Sequence, residues 1–383
     1  MADEKFAFES GKVSIAFALR WGLGDDIISK KVFEALIELV PDCVFDIFYQ
    51  SPFHRTCAEA FYGDSKNLNL ILNREEFFKD LVKKYDLALC VMGSHCIYFD
   101  HINSQRLEAM SPALSEAVKK IQHYNENNYV YSNTRDVNAS YNMRVARILN
   151  KSCYEFLSCD GALPIRDTKV KIPLKPEYKS EFNSLNLKNY ITFYNDLSEG
   201  RKPKNKTWPI RYLSEYITLM KRQFPYIEIV QCGGGGDVKV ENADRHFLNI
   251  DLELTKHILA NSLLHVGTEG GLVHLATQLG TKCLVPFGAN EVNYFGYPQN
   301  INIISDVCSP CMYLLPDWTA CLRGFKESPC MSSITPQRVF EETCKYLDSF
   351  DFTKYKADIV DYVSCSQNIN LSEVNYPSLY PKK

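Results

Sequence analysis

Residues 263–288 read LLHVGTEGGLVHLATQLGTKCLVPFG, and the order of apolar and small residues in that stretch decides the fold. The run NSLLHV is short and mostly apolar, as suits a buried strand. In GLVHLATQLG the apolar residues Leu272, Leu275, Ala276 and Leu279 recur every three or four positions, which is helical spacing, and KCLVPFG returns to a short apolar run. Strand, helix, strand in such close succession predicts a β-α-β unit and therefore a parallel sheet. Ligands of open α/β sheets bind beyond the carboxyl ends of the strands, where the segment GTEGG falls. Gly270 and Gly271 would open the helix and leave its first N–H groups bare, a setting that favours phosphate. His274 would follow about one turn later. The same residues also suit a tight turn with a core histidine.

The alternation continues outward on both sides. KVSIAFALR, CVFDIFYQ, NLNLILN and DLALCVMG read as strands, with an amphipathic helix in DIISKKVFEALIELV and a further helix in REEFFKDLVKKY. From His101 to Asn150 the pattern turns mainly helical. Residues 161–188 are rich in Pro and Lys, a linker signature. A second series begins at NYITFYN, with strands at YIEIVQC and FLNID, helices at PIRYLSEYITLMKRQF and LELTKHILA, and a late helix at TPQRVFEETCKYL. This organisation predicts two Rossmann-like α/β halves with an active-site cleft between them. The expected division is 1–185, 186–347 and a tail, 348–383.

The 383 residues are 45% apolar and 23% charged, with a net charge of −3, so the chain as a whole does not advertise nucleic-acid binding. It has no apolar run of 18 or more residues, and its acidic start does not read as a secretory signal. The expectation is a cytoplasmic protein, with room for peripheral contact at the inner membrane. Most of the 14 cysteines sit singly in apolar runs and read as buried thiols of a reducing compartment. Four cluster instead. Cys308, Cys311, Cys321 and Cys330 have the spacing C-x2-C-x9-C-x8-C, which can close a tetrahedral site around structural zinc or iron; free thiols or an oxidised disulfide are the alternatives.

Three other stretches carry chemistry. In WGLGDD, a Gly-rich turn after the first strand bears carboxylates where a phosphate loop could not tolerate them, so Asp25 suits a base, and either it or Asp26 suits a helix cap. In RKPKNKTWP, a lysine can neutralise a diphosphate or simply face solvent. CGGGGD is either an approach for a ribose or a plain turn.

Together these residues resemble the glycosyltransferase family 9 pattern, that of the ADP-heptose transferases of bacterial lipopolysaccharide assembly. VGTEGGLVHLATQLGTKCLVPFG matches the family signature, Gly24-Asp25 its first turn, Lys206 with Trp208-Pro209 its basic loop, and ITPQRVFEETCKYL its late helix. The resemblance implies a GT-B fold, two Rossmann-like domains facing across a cleft, the acceptor on the N-terminal and the nucleotide sugar on the C-terminal one. It implies an inverting transfer from a nucleotide-diphospho-sugar such as ADP-heptose to a glycan, lipid-linked or protein acceptor, with no catalytic metal. By position, Asp25 would be the base and Lys206 would hold the donor diphosphate. Gly270 and Gly271 would offer N–H groups to phosphate, Glu269 would bind sugar hydroxyls, and Thr268 and His274 would complete the donor site. Glu269 stands where the family usually has Asp, and Gly270 where it has Ser or Thr. An epimerase-like GT-B enzyme and a non-catalytic glycan- or sugar-nucleotide-binding protein are the competing readings.

Overall fold

A computed structural model describes residues 5–74, 81–91, 95–128, 135–196, 205–308 and 310–349. The middle of the expected helix at REEFFKDLVKKY, the basic residues Arg201, Lys202 and Lys204, and nearly all of the tail lie outside the described residues.

The chain forms two α/β sheets. The first comprises β1 (Ser14–Leu19), β2 (Val44–Tyr49), β3 (Leu68–Asn73), β4 (Leu87–Val91) and β5 (Ile97–Ile102), in the order β3-β2-β1-β4-β5. The second comprises β6 (Tyr190–Tyr194), β7 (Glu228–Gly233), β8 (Arg245–Leu248), β9 (His265–Gly267), β10 (Cys283–Phe287) and β11 (Ile301–Ile304), in the order β11-β10-β9-β6-β7-β8. Every pairing is parallel except β4 with β5, which is antiparallel. Buried parallel strands need apolar side chains on both faces, and all six residues of β1, SIAFAL, are buried.

Helix Leu23–Leu39 follows β1 and turns Ile28, Val32, Phe33 and Leu36 into the core. There Phe33, Phe17, Phe45 and Tyr62 meet largely edge to face or tilted. On the second sheet, Trp208 is buried beside Tyr216, its indole N–H donating to the Ile334 carbonyl at 2.8 Å, which ties the start of one helix to the late helix Pro336–Asp348. Strand β5 is not among those read from the sequence, and only its last two residues fall in the stretch read as mainly helical. This strand alternates poorly, is half-buried beyond its first residue, and forms an antiparallel edge rather than continuing the parallel series. Among the described residues no helix is long and apolar enough to cross a membrane.

Candidate functional site

Two helices begin at the carboxyl edges of the two sheets and meet across the cleft. Helix Leu23–Leu39 follows β1, and helix Gly271–Gln278 follows β9. The first N–H groups of each have no partner within their own helix. A Cβ at Gly24 would stand 2.7 Å from His274 Cδ2, and one at Gly271 would stand 2.7 Å from Leu23 Cβ. Both glycines are therefore required by the close approach of one helix start to the other. Gly270 differs: its backbone is extended, at φ 165° and ψ −174°, and a Cβ there would meet nothing closer than the Thr268 carbonyl, 3.8 Å away. The open side of the turn is at Gly270.

Glu269 is buried at the centre of this junction. Its Oε2 is 3.2 Å from the Lys206 ammonium, its Oε1 is 3.2 Å from His274 Nε2, and the Asn290 amide donates to Oε2. Burial alone would raise the Glu269 carboxyl; Lys206 and His274 outweigh burial and bring it down to about 2. For Lys206, burial works to lower the ammonium, but Glu269, Asp196 and Asp25 raise it overall. His274 Nδ1 is 2.8 Å from the Tyr297 hydroxyl, which lies 2.9 Å from that of Tyr154, so the imidazole is clamped on both nitrogens. Thr268 Oγ1 and Asn290 Oδ1 are buried without a hydrogen-bond partner among the described residues. Both adjoin Glu269, Thr268 as its chain neighbour and Asn290 through its amide hydrogen bond to the carboxylate.

Asp25 faces this group from the other helix. It occupies the third position of helix Leu23–Leu39, where its Oδ2 accepts from the Gly22 N–H at 3.0 Å, the half of a capping box that a glycine N-cap allows. Its Oδ1 lies 3.5 Å from His95 Nε2, and 28% of its side chain remains exposed. The cap contact thus belongs to Asp25. Asp26, 1% exposed, points into the core, where burial first and the Asp25 charge second push its carboxyl well above the ordinary range, against the pull of the Cys57 thiol. GGGGD at 233–237 is a turn closed by Asp237, whose carboxylate accepts from the Gly234 N–H at 2.6 Å and occupies the space a side chain at 233 would need.

The four clustered cysteines line one pocket of about 480 Å³, together with Asn205, Arg144 and Arg323. All four are free thiols, and burial first, then its three neighbours among them, pushes the Cys330 thiol up to about 12. Among the described residues no group of three or more His, Cys, Asp or Glu stands close enough to hold a metal ion. The Cys-rich segment is nevertheless fastened to the donor side. The Asn205 N–H donates to the Thr319 carbonyl at 2.8 Å, and its amide to those of Trp318 and Ala320 at 3.0 and 3.2 Å. Lys206 is the next residue.

The structure therefore brings Asp25, Lys206, Thr268, Glu269, Gly270, Gly271 and His274 to one junction. It adds His95, Asn290, Tyr294 and Tyr297, which the sequence reading did not single out. His95 follows the carboxyl end of β4, the same edge that made the Asp25 turn a candidate, and that rule was the available signal.

As a sequence, the chain matches no protein-family model and no curated protein at a significant level. Its structure is similar to that of ADP-heptose lipopolysaccharide heptosyltransferase II of E. coli, at 15% identity and TM-score 0.54 over 87% of this chain and 98% of that one. It is similar to a glycosyltransferase family 9 protein of Veillonella parvula, at 14% and 0.54 over 88% and 98%. It is also similar to TibC of enterotoxigenic E. coli, an iron-containing dodecameric glycosyltransferase, at 13% and 0.56 over 88% and 79%. A second structure of TibC is a complex with ADP-D-β-D-heptose, similar at 12% and 0.55 over 88% and 76%. In its backbone, this chain has the two-domain GT-B fold of these glycosyltransferases.

Proposed function

We propose that this chain is an inverting glycosyltransferase that moves a sugar, heptose as the first candidate, from an ADP-sugar to a hydroxyl of a glycan, lipid-linked or protein acceptor. The observation that carries this reading is the pairing of buried Lys206 with Glu269 directly across from Asp25. A cation, a helix N-terminus and a partly exposed carboxylate from the opposite domain are the parts that a single displacement requires. Residues 1–185 would hold the acceptor and 186–347 the donor.

In the proposed step, the acceptor O–H gives its proton to the Asp25 carboxylate as its oxygen attacks the anomeric carbon. The bond from that carbon to the diphosphate oxygen breaks on the opposite face, inverting the centre, and the electron pair leaves with the diphosphate. Lys206 and the N–H groups at Gly270 and Gly271 would meet the charge gathering there. Lys206 would turn part of its charge from Glu269 to the phosphates, freeing Glu269, with Thr268 and Asn290, to accept and donate to sugar hydroxyls. His274 holds Glu269 in place from behind. By their chemistry Cys308, Cys311, Cys321 and Cys330 would hold structural zinc or iron if the segment drew them together, and four thiolates would leave no position open for chemistry. Such a site would stiffen the segment that holds Asn205, and through it Lys206.

The test is a panel of nucleotide sugars assayed for nucleotide release, with and without candidate glycan, lipid-linked and protein acceptors. Acceptor-dependent release of ADP from an ADP-sugar is the expected result. Release from no donor, together with no binding of any nucleotide sugar by calorimetry, would end this reading.

A further inference from the structure

We propose that His95 is a positioning residue for Asp25, and that its ring is set by Tyr294, a hydroxyl supplied by the other half of the molecule. This inference rests on the assignment of Asp25 as the base.

His95 is 2% exposed and its backbone lies in the left-handed region, at φ 53°. A non-glycine residue adopts that conformation at a cost, and such positions concentrate at functional sites. The ring is packed against Tyr294 and Phe295, with centroids 5.4 and 5.7 Å away. One nitrogen, Nδ1, stands 3.2 Å from the Tyr294 hydroxyl. The other, Nε2, is buried without a completed hydrogen bond and stands 3.5 Å from Asp25 Oδ1. Catalytic hydrogen bonds are often this long in a ligand-free protein and tighten when the site fills.

In the proposed arrangement the tautomer is set by Tyr294, whose hydroxyl also bonds to the Asn142 side chain and whose O–H donates to His95 Nδ1 across the 3.2 Å contact. A neutral imidazole that accepts at Nδ1 carries its proton on Nε2, the nitrogen that stands 3.5 Å from Asp25 Oδ1. Gly22 N–H already donates to Oδ2 at 3.0 Å, and a small tightening would bring His95 Nε2 onto Oδ1 as a second donor. Two such donors would fix the direction in which the base accepts. The proton taken from the acceptor stays on Asp25; His95 remains neutral and transfers nothing.

Tyr294 lies in the short helix Val292–Phe295, which follows β10 of the second sheet, whereas His95 and Asp25 belong to the first. The base is therefore fully oriented only while the two halves are packed. The other groups facing Asp25 are Lys206 and Cys153, with Asp26 beside it on its own helix. Neither Lys206 nor Cys153 comes from the segment that carries His95.

The experiment combines ring ¹⁵N NMR of the full chain with pH–rate profiles of wild type, His95→Ala, His95→Gln and Tyr294→Phe, each checked for folding by thermal melt. In wild type, His95 should be the Nε2–H tautomer, and Asp25→Asn should shift its Nε2 resonance. Loss of the imidazole donor in His95→Ala should lower kcat about tenfold, leave donor KM within about twofold, and move the acid limb of the profile upward by about one pH unit. His95→Gln, which keeps an N–H near the Nε2 position, should restore most of the rate. Tyr294→Phe should mix the tautomers and move the limb in the same direction. An Nδ1–H tautomer in wild type, or an acid limb unmoved in folded His95→Ala, would overturn the inference. If wild type turns over no donor, the transferase reading fails, while the tautomer and its response to Asp25→Asn still decide the Asp25–His95–Tyr294 arrangement.

Discussion

One residue of helix, about 100° of rotation, separates Asp25 from Asp26, and it sends the first carboxylate to the cleft and the second into the core. Asp25→Asn keeps the size and the cap contact but cannot take a proton, so turnover should fall by roughly two to four orders of magnitude while ADP affinity measured by calorimetry stays unchanged. Equal turnover in that variant would remove Asp25 from the chemistry. Asp26→Asn should keep turnover and change the response of stability to pH. A carboxyl raised above its unfolded value of 3.8 binds its proton in the native state. Its stabilising contribution is complete below that value and is lost as pH rises through the folded value. Wild type should therefore lose stability as pH rises above 3.8, and the Asn variant should lose less; identical slopes would mean that Asp26 titrates normally. Glu269 has the opposite sign. Lowered from 4.5 to about 2, it contributes stability above 4.5 that is lost as pH falls toward 2. Glu269→Gln should flatten that acid loss in thermal melts and raise donor KM. The reading of WGLGDD prefers Asp25 as the base but leaves the cap and the buried acid open, because a run of two acids does not say where the helix starts, and the start decides which one turns inward.

At the scale of elements, the β-α-β reading of residues 263–288 matches what folds, because burial of both faces of a parallel strand writes itself as an apolar run and the helix as a three-to-four spacing. What remained illegible is what depends on a partner far away in the chain. Gly271 looked like room for phosphate, and the structure gives a steric reason instead: Leu23 fills the space of its missing side chain. His95 was not singled out, because its ring partners Tyr294 and Phe295 come from far away in the chain. The two glycines of the turn now separate. Alanine is a better helix former than glycine by about 1 kcal/mol, yet Gly271→Ala should destabilise the protein by about 1–3 kcal/mol, because two helix starts must move apart. Gly270→Ala meets no such neighbour and should leave stability within about 0.5 kcal/mol while raising donor KM, as a methyl group enters the open side of the turn. The reverse ranking in thermal melts would contradict the packing argument. The Cys-rich segment is tested in the same way. About one zinc or iron per chain is expected by elemental analysis. Its removal by a chelator should lower the Tm and raise donor KM through Asn205, with Asn205→Ala reproducing the KM effect in metal-loaded protein. Metal-free protein with unchanged melting and KM would sink that role.

Across the whole molecule, the two halves are held by polar contacts as well as by the glycine-lined junction. The Lys256 ammonium, fully buried on helix Leu252–Ala260, donates to the Ala60 carbonyl at 2.8 Å and the Pro173 carbonyl at 2.7 Å, and pairs with Glu253 at 2.7 Å. Ala60 lies in the last turn of helix Pro52–Tyr62, where carbonyls lack helical partners and a cation is favoured; Lys30 of the first half caps the adjacent Phe61 carbonyl. The Pro- and Lys-rich segment before β6 is part of the same fastening, since Gln278 accepts from the Val170 N–H and donates to the Thr168 carbonyl, both at 2.8 Å. Its composition reads as a tether, but its backbone is bound to the second half. Lys256→Met keeps the stem and removes the charge, and Lys175, 3.3 Å from Glu253, still neutralises that carboxylate. What is lost is the pair of bonds across the cleft, and two buried carbonyls left unpaired should cost about 2–4 kcal/mol. The halves should then sample more open arrangements, read as a larger radius of gyration by small-angle scattering. Because Lys206, Glu269 and Gly270 all lie in the second half, ADP affinity should be retained while kcat falls, as Asp25, His95 and Tyr294 come together less often. A Lys256→Met protein with wild-type melting, scattering and kcat would show that closure does not depend on this contact and that the glycine-lined junction alone holds the halves in register.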